Sequence, residues 1–156
     1  MKTKRLYENE LTAFVKLVQL AIESYTQYPP YAQEHVDSTV RHLEHERSEA
    51  INGPGKYRNL RSLDQRVDDI LIYFNEGAGT TVDYFWKRIK EEGLPYERKD
   101  VLKIVLERGK IRGRQEYDVV TDTFVPAQQE GRISAEEFER LSNMLGEYEN
   151  RRSNRR

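Results

Sequence analysis

The sequence has 156 residues, of which 37% are hydrophobic and 34% are charged, and its net charge is -1. This length is typical of a single domain, and ten Tyr, five Phe and one Trp supply enough aromatic bulk for a packed core. Because cysteine is absent, a disulfide framework, thiolate catalysis and a cysteine-ligated zinc site are excluded. No apolar window approaches the roughly 18 residues of a membrane helix. We therefore expect a cytoplasmic protein with no membrane partner.

The first predicted element is a helix over residues 8 to 28, because apolar residues from Leu11 to Tyr25 recur at steps of three and four. Two prolines end it, and a second helix is predicted from Tyr31 to Ile51, before a loop rich in Gly and Pro. The two helices are expected to pair as an antiparallel hairpin within residues 1 to 61.

Three further helices are predicted in the middle of the chain. Ser62 and Gln65 have the spacing of a capping box, which predicts the start of the third helix. Thr80 or Thr81 is expected to cap the fourth helix. The turn Gly93-Leu94-Pro95 then leads into a fifth helix through Val101, Leu102 and Val105.

The C-terminal third is predicted to contain both strand and helix. Residues 115 to 125 are rich in Tyr, Val and Thr, which favours a small β-hairpin. Ser134 and Glu137 form a second predicted capping box, which opens the last helix. The chain is thus expected to be a single domain over residues 1 to 150, with subdomains at 1–61 and 62–150, and a disordered basic tail at 151–156.

Charge is distributed unevenly along the chain. Residues 86 to 114, the basic strip, hold ten Lys or Arg against five acids, whereas residues 115 to 149 hold two against nine. A region of net +5 therefore precedes a region of net -7. A basic strip thus lies beside an acidic one, and its basic residues are either a binding surface or only a solvated face.

The segment from Ser62 to Ile133 resembles a winged helix-turn-helix. The resemblance rests on Phe85-Trp86-Lys87-Arg88-Ile89, the Gly93-Leu94-Pro95 turn, and the run from Val101 through Leu106 to Ile111. It covers a little under half of the chain. It implies a mainly α fold, in which the N-terminal helical hairpin packs on a winged-helix-like half with a small β-hairpin and a C-terminal helix.

The resemblance also implies a nucleic-acid interface. In such a fold the second helix of the pair presents three basic residues to the major groove, and the segment after it meets phosphates. The predicted contacts are Arg98, Lys99 and Lys103 for the groove, and Arg108, Lys110, Arg112 and Arg114 for the phosphates.

A second candidate surface is the tyrosine bend, formed by Tyr25, Tyr28 and Tyr31 around Pro29 and Pro30. Tyrosine is favoured at interfaces because it offers a large contact area at low rotamer cost. One interpretation is a platform for a protein partner. The other is a corner between two helices that is wrapped by its own aromatic side chains.

No catalytic, cofactor or metal motif is complete. Residues 131–137 resemble half of a calcium loop, but the carboxylates at its first positions and the preceding helix are missing. His35, His42 and His45 are the three histidines, and only the last two have a spacing suited to shared ligation on a helix, so a solvated polar face is predicted.

We therefore predict a non-enzymatic binding module without a cofactor. One hypothesis is nucleic-acid binding through residues 86–114. The alternative is protein–protein interaction or assembly, with another protein or a second copy of the chain as partner. The two differ in salt dependence, because phosphate contacts weaken steeply with salt and an apolar interface responds little.

Overall fold

The computed structural model describes residues 4 to 154, which form seven α-helices and one short 3₁₀ turn, with no β-strand in that range. The helices are α1 Tyr7–Gln27, α2 Gln33–Asn52, α3 Leu60–Glu76, α4 Thr80–Glu91, α5 Val101–Arg108, α6 Arg114–Gln129 and α7 Ala135–Ser153. The 3₁₀ turn, Gly55–Tyr57, lies between α2 and α3. The mainly α character predicted from the apolar spacing is confirmed.

The chain divides into two compact units, Met1–Arg98 and Lys99–Arg156. Unit 1 contains α1 to α4, and unit 2 contains α5 to α7. The single domain proposed for residues 1–150 stays a prediction. The predicted tail begins inside α7, which continues to Ser153, while Arg155 and Arg156 lie outside the described residues.

Unit 1 is organised around α1, which packs against α2, α3 and α4. Its core is dense in aromatic rings. Phe74 of α3 stacks on Phe85 of α4 with ring centroids 3.7 Å apart, and Tyr25 of α1 lies 5.4 Å from Phe74. Burial of such rings is the largest apolar contribution that single side chains make to folding. The aromatic content noted in the sequence is therefore concentrated in this core.

Unit 2 is built on the pair α6 and α7, with α5 packed against both. Two ring pairs join α6 to α7: Phe124 with Phe138 at 4.7 Å, and Tyr117 with Tyr148 at 5.0 Å. The earlier residue of α6 meets the later residue of α7, so the two helices run antiparallel. Leu141 lies fully buried in the same core.

The predicted β-hairpin at residues 115 to 125 is wrong, because these residues lie in α6. The small β-hairpin that the predicted fold placed as a wing is therefore not present in residues 4 to 154. The apolar residues on α6 also repeat at helical spacing, and Val119, Val120 and Ala127 are buried in unit 2. Packing against α7 overrides the strand preference of Val and Thr. The hydroxyl of Thr121 donates to the Tyr117 carbonyl at 2.8 Å, as a threonine within a helix does.

Side chains cap three of the helices. The Ser134 and Glu137 capping box is present, as predicted, with Glu137 N donating to Ser134 Oγ at 3.0 Å. The predicted box at Ser62 is wrong, because the cap of α3 is Asn59, whose Oδ1 accepts from Ser62 N at 2.9 Å. Asp100 caps α5 in the same way. Asparagine at this position is as good an acceptor as serine.

Candidate functional site

The basic strip is split between the two units. Arg98 belongs to unit 1, where its Nη2 donates to the Gly77 carbonyl at 2.8 Å. The remaining predicted contacts belong to unit 2, where α5 carries Lys103 and Arg108. The residues predicted to contact the major groove of DNA therefore do not lie in one compact unit.

Two arginines of the strip are neutralised by acids of α6. Arg108 Nη1 lies 2.6 Å from Glu116 Oε1, and the two side chains are 20% and 26% exposed. Glu116 also accepts from the backbone N–H of Arg112 at 2.9 Å. The hydrogen bond from Arg108 is the main cause that lowers the pKa of Glu116, against an opposing effect of burial. Arg108 is thus part of the internal bonding of unit 2.

Arg114 is engaged in the same manner. Its Nε lies 3.0 Å from Asp118 Oδ1, one helical turn on, and its guanidinium lies 5.8 Å from the Tyr117 ring centroid. By contrast, Lys103 and Lys110 are exposed, and their ammonium groups form no ion pair within residues 4 to 154. The strip therefore offers a weaker positive field than its sequence indicates.

The side chains of the tyrosine bend pack in part against other residues of unit 1. Tyr25 is buried, and this burial raises its pKa. Tyr28 packs against Tyr84 with tilted rings whose centroids are 5.1 Å apart, and the Tyr31 hydroxyl lies 2.7 Å from that of Thr39. Tyr28 and Tyr31 still keep 40% and 38% of their surface exposed. The bend is a rigid corner with two partly exposed rings.

The described residues contain no group of three or more His, Asp or Glu placed to hold a metal ion. His35, His42 and His45 are exposed on α2. Within the same part of the chain, no helix is long and apolar enough to cross a bilayer.

A groove of about 620 Å³ lies on unit 1, along the second half of α4 and the segment that follows it. Its apolar wall contains the partly buried rings of Trp86 and Tyr96. Its rim carries charges of both signs. The full lining is Asp83, Trp86, Ile89, Lys90, Gly93, Leu94, Tyr96, Glu97 and Arg98.

The groove is built on fixed supports. Trp86 Nε1 donates to the Phe74 carbonyl at 2.8 Å, and the ring meets Phe85 edge-on at 5.0 Å. Burial is the main cause that raises the pKa of Tyr96, and the charges of Glu10 and Asp64 add to it. The Tyr96 hydroxyl therefore stays protonated at neutral pH and can donate a hydrogen bond.

Tyr96 also lines a smaller cavity of about 310 Å³ on unit 1. Ion pairs join three of its lining residues, because Arg5 bridges Asp64 at 2.7 Å and Glu10 at 3.0 Å. These pairs connect residue 5 to α1 and α3. Tyr96 therefore borders both cavities of unit 1.

The groove was not among the predicted sites, where Trp86 served only as part of the winged-helix resemblance. Its ring is partly buried against the core of unit 1. The available signal was a single tryptophan that precedes two basic residues on a helix, with Leu94 and Tyr96 shortly after it. Periodicity alone could not show that these side chains meet.

In comparisons with known proteins, no family model, curated protein or solved structure matches the chain. What the fold and the groove define is an all-α protein of two helical units, the first of which carries an apolar groove with a charged rim.

Proposed function

We propose that this protein is a non-enzymatic binding module, and that unit 1 holds an apolar side chain of a protein partner in the groove beside Trp86. The observation that carries the proposal is the groove itself, whose wall contains the hydrogen-bonded indole of Trp86 and the partly buried phenol of Tyr96. Its volume of about 620 Å³ lies within the range of ligand sites, which are mostly apolar with a few polar groups.

The indole is suited to act as an anchor contact. Interface energy is concentrated in a few aromatic residues that sit in pockets and are surrounded by polar rims. Because Trp86 is already held by its hydrogen bond to Phe74, binding costs little further ordering of that ring. The partly buried Leu94 supplies an aliphatic surface on the same wall.

The rim indicates the chemistry of the partner. Asp83 and Glu97 carry negative charge, and Lys90 and Arg98 carry positive charge. A polyanion would meet repulsion from both carboxylates, whereas a polypeptide can place opposite charges beside its apolar anchor. The mixed rim therefore favours a protein segment over nucleic acid at this site.

A displayed library of random peptides, selected on the whole protein, tests the proposal. We expect the selected peptides to share one apolar anchor and to change the fluorescence of Trp86, which is the single tryptophan of the chain. Peptides with an acid beside the anchor should bind Lys90→Glu about tenfold more weakly, because the rim charge is reversed.

Lys87→Glu is the matched control, since Lys87 lies on the same helix, is exposed and does not line the groove. It should leave peptide binding unchanged. Selection of no peptide, or of peptides that leave Trp86 fluorescence unaltered, would contradict the proposal.

A further inference from the structure

A separate basic surface lies at the connection between α2 and α3. We name it the basic corner and define it as Lys56, Tyr57, Arg58 and Arg61. No acid occurs from Ala50 to Leu63, so three cations and one aromatic ring are contributed by a stretch without negative charge. The basic corner belongs to unit 1 and includes no residue of the groove.

The corner is held in a defined shape. The 3₁₀ turn closes with Tyr57 N donating to the Pro54 carbonyl at 3.0 Å. Asn59 ties the turn to α3, since its Nδ2 donates to the Lys56 carbonyl at 2.9 Å while its Oδ1 caps the helix. Arg58 Nη1 donates to the Ile51 carbonyl at 3.3 Å, which ties the turn back to α2. The backbone of the corner is therefore fixed before any ligand binds.

The three cations keep their charge available. Lys56, Arg58 and Arg61 are exposed, and they form no ion pair among the residues that the structure describes. The acid that follows them, Asp64, is already bonded to Arg5 through two hydrogen bonds. The field at the corner is therefore positive, and it suits an anionic ligand.

Tyr57 places a flat apolar group among these charges. The side chain is 50% exposed, and the Lys56 ammonium lies 4.8 Å from its ring centroid. Proteins that bind single-stranded nucleic acid combine cations along the phosphate backbone with aromatic rings on which bases stack. The order Lys-Tyr-Arg within one turn brings both contacts together.

We propose that the basic corner binds single-stranded nucleic acid, with phosphates on Lys56, Arg58 and Arg61 and one base stacked on Tyr57. An unpaired strand is required, because the bases of a duplex are already stacked and do not present a free face to the tyrosine ring. This site is independent of the groove, and it adds a second binding activity to unit 1.

Two oligonucleotides of the same length separate the two contacts: oligothymidylate, and an abasic strand with the same phosphates but no bases. Fluorescence anisotropy at low salt should show oligothymidylate bound about tenfold more tightly by the whole protein. Tyr57→Ala should remove this difference and leave binding of the abasic strand unchanged. Equal binding of the two strands by the parent protein would overturn the stacking contact.

Tyr28→Ala is the matched control, because Tyr28 is another partly exposed tyrosine of unit 1 outside the basic corner. It should bind both strands as the parent protein does. Circular dichroism melting of each variant checks that the fold is retained. Vesicles of anionic lipid form the third arm: binding to vesicles with no binding to oligothymidylate would overturn the proposal in favour of a lipid surface.

Discussion

The basic corner and the basic strip carry similar side chains in different electrostatic surroundings. In the strip, Arg108 and Arg114 lie against Glu116 and Asp118 of α6. In the corner, no acid lies within the segment, and Asp64 beyond it is held by Arg5. The strip has the higher count of cations, but the three cations of the corner form no ion pair within the described part of the chain.

The count of basic residues is thus a poor guide to a binding surface. A guanidinium paired with a carboxylate contributes less to the long-range positive field than an unpaired one. What distinguishes the corner in the sequence is that no acid occurs from Ala50 to Leu63; Asp64, three residues after Arg61, is bonded to Arg5 instead. In the strip, Asp118 follows Arg114 by four residues, which places the two on the same face of α6.

The largest expected effect is a loss of folding stability on replacing Trp86 in unit 1. Trp86→Ala should lower the free energy of unfolding by about 3 kcal/mol, because it removes a packed ring and the bond to the Phe74 carbonyl. Denaturant melting measures this. Trp86→Phe is the control, and it should retain most of the packing. A loss below about 1 kcal/mol for Trp86→Ala would mean that the ring contributes little to the core.

The next largest loss of stability is expected from removing a helix cap, which can be done once in each unit. Asn59→Ala should cost about 1 kcal/mol, because it removes the cap of α3 and the bond to the Lys56 carbonyl that shapes the basic corner. Ser134→Ala should cost a similar amount in unit 2. Ser62→Ala is the control in α3 and should leave melting almost unchanged, since Ser62 contributes only its backbone N–H. A larger loss for Ser62→Ala than for Asn59→Ala would contradict this assignment.

A smaller effect tests whether Arg108 of the strip is structural. Arg108→Ala should lower the melting temperature of the protein more than Lys110→Ala does, because it leaves Glu116 without its main partner. The pKa of Glu116 is lowered from 4.5 in the folded chain. The Arg108–Glu116 ion pair therefore stabilises the folded state above pH 4.5, and this stabilisation is lost as the pH falls through the folded pKa. The difference between parent and variant should therefore shrink on acidification below pH 4.5. A difference that is constant with pH would argue against this ion pair.

Much of the helical order could be predicted from the sequence. The apolar steps from Leu11 to Tyr25 gave α1 to within a residue or so, and Ser134 with Glu137 marked the start of α7. The sequence did not identify the cap of α3 correctly, because two nearby residues are both suitable for that position. Asn59 and Ser62 are both good capping residues, and only the backbone geometry shows that Asn59 is the acceptor.

The rest depended on contacts between distant residues. The residues of α6 have strand-forming side chains, yet Phe124 and Tyr117 find their ring partners on α7, and those partners decide the helix. The groove joins α4 to the segment after it, and the basic corner becomes notable only once Asp64 is seen bonded to Arg5. Neither the groove nor the bond between Asp64 and Arg5 can be derived from residue spacing.

Two matched pairs of arginines separate the basic corner from the basic strip most directly. Arg58→Gln with Arg61→Gln removes two unpaired charges of the basic corner, and Arg108→Gln with Arg114→Gln removes two paired charges of the basic strip. The measurement is the salt dependence of oligothymidylate binding. The corner variant should flatten the slope by about 1.4 units, since each lost contact to a single strand removes about 0.7, and the strip variant should leave it unchanged. An unchanged slope in the corner variant, or an equal change in both, would contradict the claim that unpaired cations define the nucleic-acid site.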